Sequence, residues 1–219
     1  MRIIGIDVGR QHTGVVSWNL LEKKVDHNET INISLGEARS IRDYNSEHFR
    51  NNLIASMLVG ILSNLGKEII LASVEDYIYG DKDATDEDVK NRDRSPLQLA
   101  ETHGVILAAL AKMEIPVIKP SASLMKYFVT GFGHSEKVKM IKAIWNIYKT
   151  SMPDEHQYDA LCAVHVARYF VAYCISPSSL KIKTYERNAM NQMMFDHRFH
   201  GVADEVRTRY LQYKNGGEG

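Results

Sequence analysis

The chain has 219 residues, 44% of them hydrophobic, which suits one domain with an appendage, or at most two small domains, and leaves ample material for a core. Its 27 basic and 27 acidic residues cancel, so any nucleic-acid surface has to come from local segregation of charge. Two cysteines without C-x-x-C spacing weigh against a zinc site or disulfide framework, and neither a basic-then-apolar leader nor an apolar run of about 18 residues is present, so a soluble cytoplasmic protein is expected.

The unbroken apolar run Ile3-Ile4-Gly5-Ile6 predicts a buried strand, interrupted only by Asp7 at its end. Gly9-Arg10-Gln11-His12-Thr13 reads as a turn, and a second strand begins at Gly14. Residues 24–33 predict a third strand at an edge, because polar residues interrupt its apolar positions. Phe49, Leu53, Ile54, Met57, Leu58, Ile61, Leu62 and Leu65 recur at helical spacing, with Gly66 as a C-cap. A buried strand over residues 68–75 follows. Ser95-Pro96 fits an N-cap and first helical position, opening a helix that runs to Met113.

A short strand at Val117-Ile118 and helices over residues 121–129, 136–148 and 154–175 complete the series. A meander followed by alternating helices and strands predicts an α/β fold with a mixed sheet and helices on both faces. Pro177-Ser178-Ser179 marks a linker, so residues 1–175 read as one domain and 176–219 as a partly helical extension with a disordered end. Met190, Met193, Met194, Phe195 and Phe199 make that extension too apolar to be fully solvated, and its basic residues outnumber its acids.

The chemistry concentrates at the start of the helix over residues 154–175. Asp154, with Gln157 three residues on, supplies a capping-box-like start. His156 and Asp159 stand three residues apart and share a face, and Asp159 lies beyond the turn where a cap is useful. Its partners are sought in Asp7, a lone acid in an apolar strand, and Glu75, at the end of another. Three acids and an imidazole at the edges of buried elements suggest a divalent-metal site, since a buried carboxylate without a partner is costly.

Lys126, Lys137, Lys139 and Lys142 belong to a stretch opposed only by Glu136, a local excess that suits phosphate contact, whereas residues 81–93 form an acidic loop. Tyr77 and Tyr79 flank Ile78 and read either as a strand edge or as stacking residues for bases. His12, His103 and His134 read as ordinary surface or turn histidines. Gly131 and Gly133 precede Ser135, which reads as a helix N-cap.

Taken in order, Ile6-Asp7-Val8-Gly9 with Thr13-Gly14, Val74-Glu75, the stretch from Ser95 to Val105, residues 126–137 and residues 156–161 resemble the RuvC-type Holliday junction resolvases, a branch of the ribonuclease H superfold. The resemblance runs from Met1 to about Tyr173. It implies that Asp7, Glu75, His156 and Asp159 are a metal-binding, catalytic quartet for two Mg²⁺ or Mn²⁺ ions. Lys126 and Lys137 fall at DNA-contacting positions. His at 156, where some members carry Asp, is a softer ligand that shifts preference toward Mn²⁺. The resemblance further implies a homodimer that resolves four-way junctions by symmetric nicks with 5′-phosphate and 3′-hydroxyl ends. The alternatives are a related nuclease for other branched DNA or RNA:DNA hybrids, and a junction-binding protein without catalysis. The chain departs from the family in its acidic loop, its extension, and Ile78 where some relatives carry a wedge aromatic.

Overall fold

A computed structural model describes residues 1–9, 11–33, 45–66, 68–76, 95–177 and 182–216. Tyr77, Tyr79 and the acidic loop lie outside these residues. Five strands and seven α-helices are described. Strands β1 (Arg2–Asp7), β2 (His12–Asn19) and β3 (Lys24–Asn32) form the antiparallel meander, with Asp7 opposite Gly14 and Thr13 opposite Ile31. Helix α1 (Asn45–Leu65) returns the chain to β4 (Ile69–Val74), which lies parallel to β1 on its other side, Ile6 pairing with Val74. Helix α2 (Ser95–Lys112) leads to β5 (Val117–Ile118), parallel to β4. The sheet order β3-β2-β1-β4-β5 is the mixed α/β architecture the sequence predicts.

Alternation along β1 divides the core. Ile4 and Ile6 pack toward Leu58, Leu62, Ile106 and Leu110 of α1 and α2, while Ile3 joins Phe128 and Phe170 on the opposite face. That face is covered by α3 (Ala122–Thr130), α4 (Lys137–Tyr148) and α5 (Glu155–Ile175). Helix α5 is apolar nearly all round because it is enclosed nearly all round, lying across β1, β2 and β4. Two glycines let it approach so closely: a Cβ on Gly5 would overlap the Ala160 carbonyl, and one on Gly14 the His156 carbonyl.

The start of α5 is tied to the sheet's edge strand. Asp154 caps the helix by accepting from the Gln157 N–H at 3.0 Å, Thr30 donates to the same carboxylate at 2.6 Å, and Asn28 donates to the Gln157 side chain at 2.5 Å. Cys162 and Cys174 are free and buried within the helix. The N-cap of α4 falls at Glu136 and not at Ser135. Ser135 is drawn inward instead, its hydroxyl 2.7 Å from that of Thr130.

Past residue 176 the chain returns to the same core. Helix α6 (Thr184–Phe195), a single 3₁₀ turn (His197–Phe199) and α7 (His200–Gly216) bury Met190, Met193, Phe199, Ala203 and Val206 against Phe128, Phe170 and Cys174. Residues on both sides of 176 thus build a single cluster. Phe195, 87% exposed, and Leu211 are the large apolar residues of the extension that stay exposed among the described residues. Several of its cations are anchors: Arg207 donates to the Cys174 carbonyl at 2.9 Å, Arg209 to the Glu114 carbonyl, and Arg198 pairs with Asp196. Among the described residues no helix is long and apolar enough to cross a membrane.

Candidate active site

The strand alternation that sends Ile4 and Ile6 to one face sends Gly5 and Asp7 to the other, under α5. On β4, Leu71 and Ser73 follow the same alternation, which continues to Glu75 just past the strand; Glu75 follows Val74 as Asp7, the last residue of β1, follows Val74's partner Ile6. Asp159 and His156 descend on this edge from the first turns of α5. His156 donates from Nδ1 to Asp7 Oδ2 at 2.9 Å. Asp159 Oδ2 pairs with Lys137 Nζ at 2.9 Å, and the same ammonium reaches Glu155 at 3.0 Å. Glu75, Lys126, Lys137 and Asp159 line one cavity, and Asp7, Glu75, Asp76 and His103 line the next, with Glu75 common to both.

The carboxylates crowd one another. Burial first, then the charges of Asp7 and Asp159, push the Glu75 pKa from 4.5 to about 7. Asp7 is also raised, by burial above all, with Asp159 adding and the His156 N–H pulling back. At Lys137 burial opposes the charged form, but Asp159 and Glu155 outweigh it and hold the ammonium above its ordinary pKa. The Cys162 thiol is likewise held well above its ordinary value by burial and by the same acids.

As they stand, no three His, Cys, Asp or Glu side chains among the described residues are gathered tightly enough to enclose an ion. The donor set nonetheless fits one. Asp159 Oδ1 is buried without a hydrogen-bond partner, and the negative charge that raises the proton affinity of Glu75 and Asp7 is what a cation relieves. Oxygen ligands with one imidazole match the hard to intermediate divalent ions.

Two histidines read as ordinary from sequence belong to this region. His103 is buried on α2 and donates from Nε2 to the Glu75 carbonyl at 2.7 Å, fixing the main chain that carries the carboxylate. Its spacing of four from Leu99 and three from Ile106 placed it on the buried face of α2, which was the available signal. His12 stacks on His156 with ring centroids 5.2 Å apart and holds Asn32 at 2.6 Å. Two residues beyond Gly14, His12 shares its face of β2 and so reaches this edge. Lys139 and Lys142 line a separate groove with Phe132 and Lys183.

A mixed sheet of this order, with acids at the ends of its two central strands and on the helix that crosses them, defines a nuclease-type domain of ribonuclease H-like architecture. Residues of this chain align with a crossover junction endodeoxyribonuclease RuvC of Carboxydothermus hydrogenoformans at 30% identity over 158 residues, 71% of this chain and 88% of the relative. The protein of the same name from Thermosipho melanesiensis is 27% identical over 179 residues, 80% of this chain and 97% of the relative. The chain belongs to the RuvC family of crossover junction endodeoxyribonucleases. No family model matches it. Thermus thermophilus RuvC shares the fold with a TM-score of 0.58 at 20% identity, over 77% of this chain and 95% of that one. The same protein in complex with Holliday junction substrate matches equally, at 18% identity.

Proposed function

We propose that this chain is a divalent-metal-dependent, structure-selective endodeoxyribonuclease that resolves four-way DNA junctions by paired nicks, leaving 5′-phosphate and 3′-hydroxyl ends. The observation that carries the reading is the convergence of Asp7, Glu75 and Asp159 from three separate elements into one electrostatically crowded edge. Its relatives' name as crossover junction endodeoxyribonucleases supports the substrate class. Asp7, Glu75, His156 and Asp159 would hold two Mg²⁺ or Mn²⁺ ions, which supply Lewis-acid and water-activating chemistry for phosphodiester hydrolysis.

The chain's own groups prepare that site. With Nδ1 donating to Asp7, His156 keeps the lone pair of Nε2 free as a ligand and orients the Asp7 carboxylate. His103 positions Glu75 through its carbonyl. Lys137 neutralises Asp159 while the site lacks DNA and exchanges that partner for a backbone phosphate. Lys126, beside it in the same cavity, meets a neighbouring phosphate. A homodimer sets two such sites on one junction, so that both strands are cut.

The test is a panel of labelled four-way junction, flap, RNA:DNA hybrid and plain duplex, each with Mg²⁺, Mn²⁺ or chelator. Metal-dependent nicking confined to the junction is expected, and Asp7→Asn should lower its rate at least about a hundred-fold, as loss of a metal ligand does. Nicking that survives chelation, or a faster rate on hybrid or flap than on the junction, would overturn the reading.

A further inference from the structure

The groove lined by Lys139 and Lys142 shares no residue with the two cavities at the acids. Lys139, Lys142 and Asn146 recur along α4 at steps of three and four, so they form one helix face. Across a cleft of about 610 Å³ this face meets Lys183 and Tyr185, where α6 begins. Phe132 stands at the cleft with 74% of its surface exposed.

The cations here are unspent. Among the described residues Lys142 makes no ion pair, and Lys139 reaches only Glu136 at 3.7 Å, both side chains being exposed, a pairing of little strength. Lys183 donates to the Tyr185 hydroxyl at 2.9 Å and forms no ion pair among the described residues. No acid lines the cleft. This contrasts with Lys137 on the same helix, whose charge is taken by two carboxylates.

The C-terminal half of the cleft is also a built surface. The Tyr185 ring lies against Gly131, which ends α3 at a φ of 84° where a side chain would be strained. Its edge meets Tyr127, with centroids 6.2 Å apart. The Lys183 N–H is held by the buried Glu186 carboxylate at 2.7 Å. Lys183 is therefore presented from an anchored main chain.

Three ammonium groups facing one cleft without a counter-acid, beside exposed aromatic surface, match a polyanion of repeating charge with faces that stack. We infer that this cleft is a second nucleic-acid contact, in which Lys183 of the C-terminal segment joins Lys139 and Lys142 on a sugar-phosphate backbone away from the cut, with Phe132 and Tyr185 against sugar or base. The inference rests on the reading of the chain as a junction nuclease. Lys139 follows Lys137 by two residues, a rotation of about 200° around α4 at about 3.6 residues per turn, so cleft and cutting site are served by two faces of one helix.

The test uses the full chain carrying Asp7→Asn, so that bound DNA is not cut. In that background Lys183→Glu should weaken four-way junction binding about ten-fold at about 0.1 M salt and flatten the plot of log affinity against log salt by one to about two counterions. Lys183→Arg should keep both near the parent. Lys142→Glu should weaken binding likewise, and the double variant more than either. A plain duplex and a single strand of equal length show whether the cleft takes paired or unpaired backbone, and a loss on either upholds it. Unchanged affinity and slope for Lys183→Glu on all three DNAs overturns the inference, as does an equal loss in Lys183→Arg. If the Asp7→Asn parent binds junctions no better than duplex, the junction reading fails instead, while a Lys183→Glu loss on duplex still supports the cleft.

Discussion

Replacing Glu75 by Gln should abolish cleavage and yet make the metal-free protein more stable at alkaline pH. Burial and the charges of Asp7 and Asp159 move the Glu75 pKa from 4.5 to about 7. Between those values the folded chain holds a proton that the unfolded chain has released, so stability falls as pH rises through that window. At about 1.4 kcal/mol per pH unit, the ionised carboxylate costs the fold about 3 kcal/mol at pH 8, and only about 1 kcal/mol at pH 5, where the unfolded chain is itself only partly ionised. Gln keeps the shape and removes the charge, and Asp7 and Asp159 stand by as acceptors for its amide. Urea unfolding in the presence of chelator should therefore show the variant ahead of the parent by up to about 3 kcal/mol at pH 8, with the gap shrinking to about 1 kcal/mol at pH 5. Added Mg²⁺ or Mn²⁺ should stabilise the parent and leave the variant nearly unmoved. A variant less stable than the parent at pH 8, or a gap that does not change with pH, would show that the three carboxylates do not crowd one another as described.

Further outcomes follow from neighbouring contacts. His103→Ala leaves the Glu75 carbonyl without its donor, so it should cost about 1–3 kcal/mol of stability by urea unfolding and lower the cleavage rate at saturating junction. His103→Gln, which can still donate, should recover part of both. Lys137→Ala should weaken junction binding and flatten its salt dependence by about one counterion, and an unchanged slope in a binding titration would limit Lys137 to its pairing with Asp159 and Glu155. Ending the chain after Ser176 removes Met190, Met193, Phe199 and Val206 from the core. At about 2 kcal/mol for each large apolar side chain this approaches the whole stability of a typical domain. The truncated protein should therefore be aggregated or lack a cooperative thermal transition.

Much of the site was legible because it violates local pattern. Asp7 is a lone acid in an apolar strand, Glu75 ends another, and Asp159 sits one turn too late to cap its helix. Each stands out against the regular element around it. His103 was not legible in the same way, since a histidine on the inner face of α2 looks like a tolerated polar residue until the end of β4 arrives beneath it. The pairing of Lys137 with Asp159 was hidden because it joins two helices whose relative placement only the tertiary fold decides. Sequence spacing likewise made Ser135 a natural cap, and it was overridden by the Thr130 hydroxyl. The extension was the least legible part. Met190 and Met193 share a face of α6, but Phe199, Ala203 and Val206 join them in the core only across the 3₁₀ turn that separates the two helices, and no single period spans that turn.

The extension's packing also bears on the site, because the helix it covers is the one that carries His156 and Asp159. Helix α5 is held at its N-terminal end by Asp154, Thr30, Gln157 and Asn28, and along the sheet by the notches at Gly5 and Gly14. At its C-terminal end it is held by Phe199 against Phe170, centroids 6.3 Å apart, and by Arg207 on the Cys174 carbonyl. A helix fixed at both ends has little freedom to translate, and side chains three residues apart on its first turns inherit that fixity. Asp159 must meet Asp7 and Glu75, which come from strands, so any slide of α5 along β1 would open the acidic edge. Segments distant in sequence from the acids thus set the one coordinate on which their meeting depends.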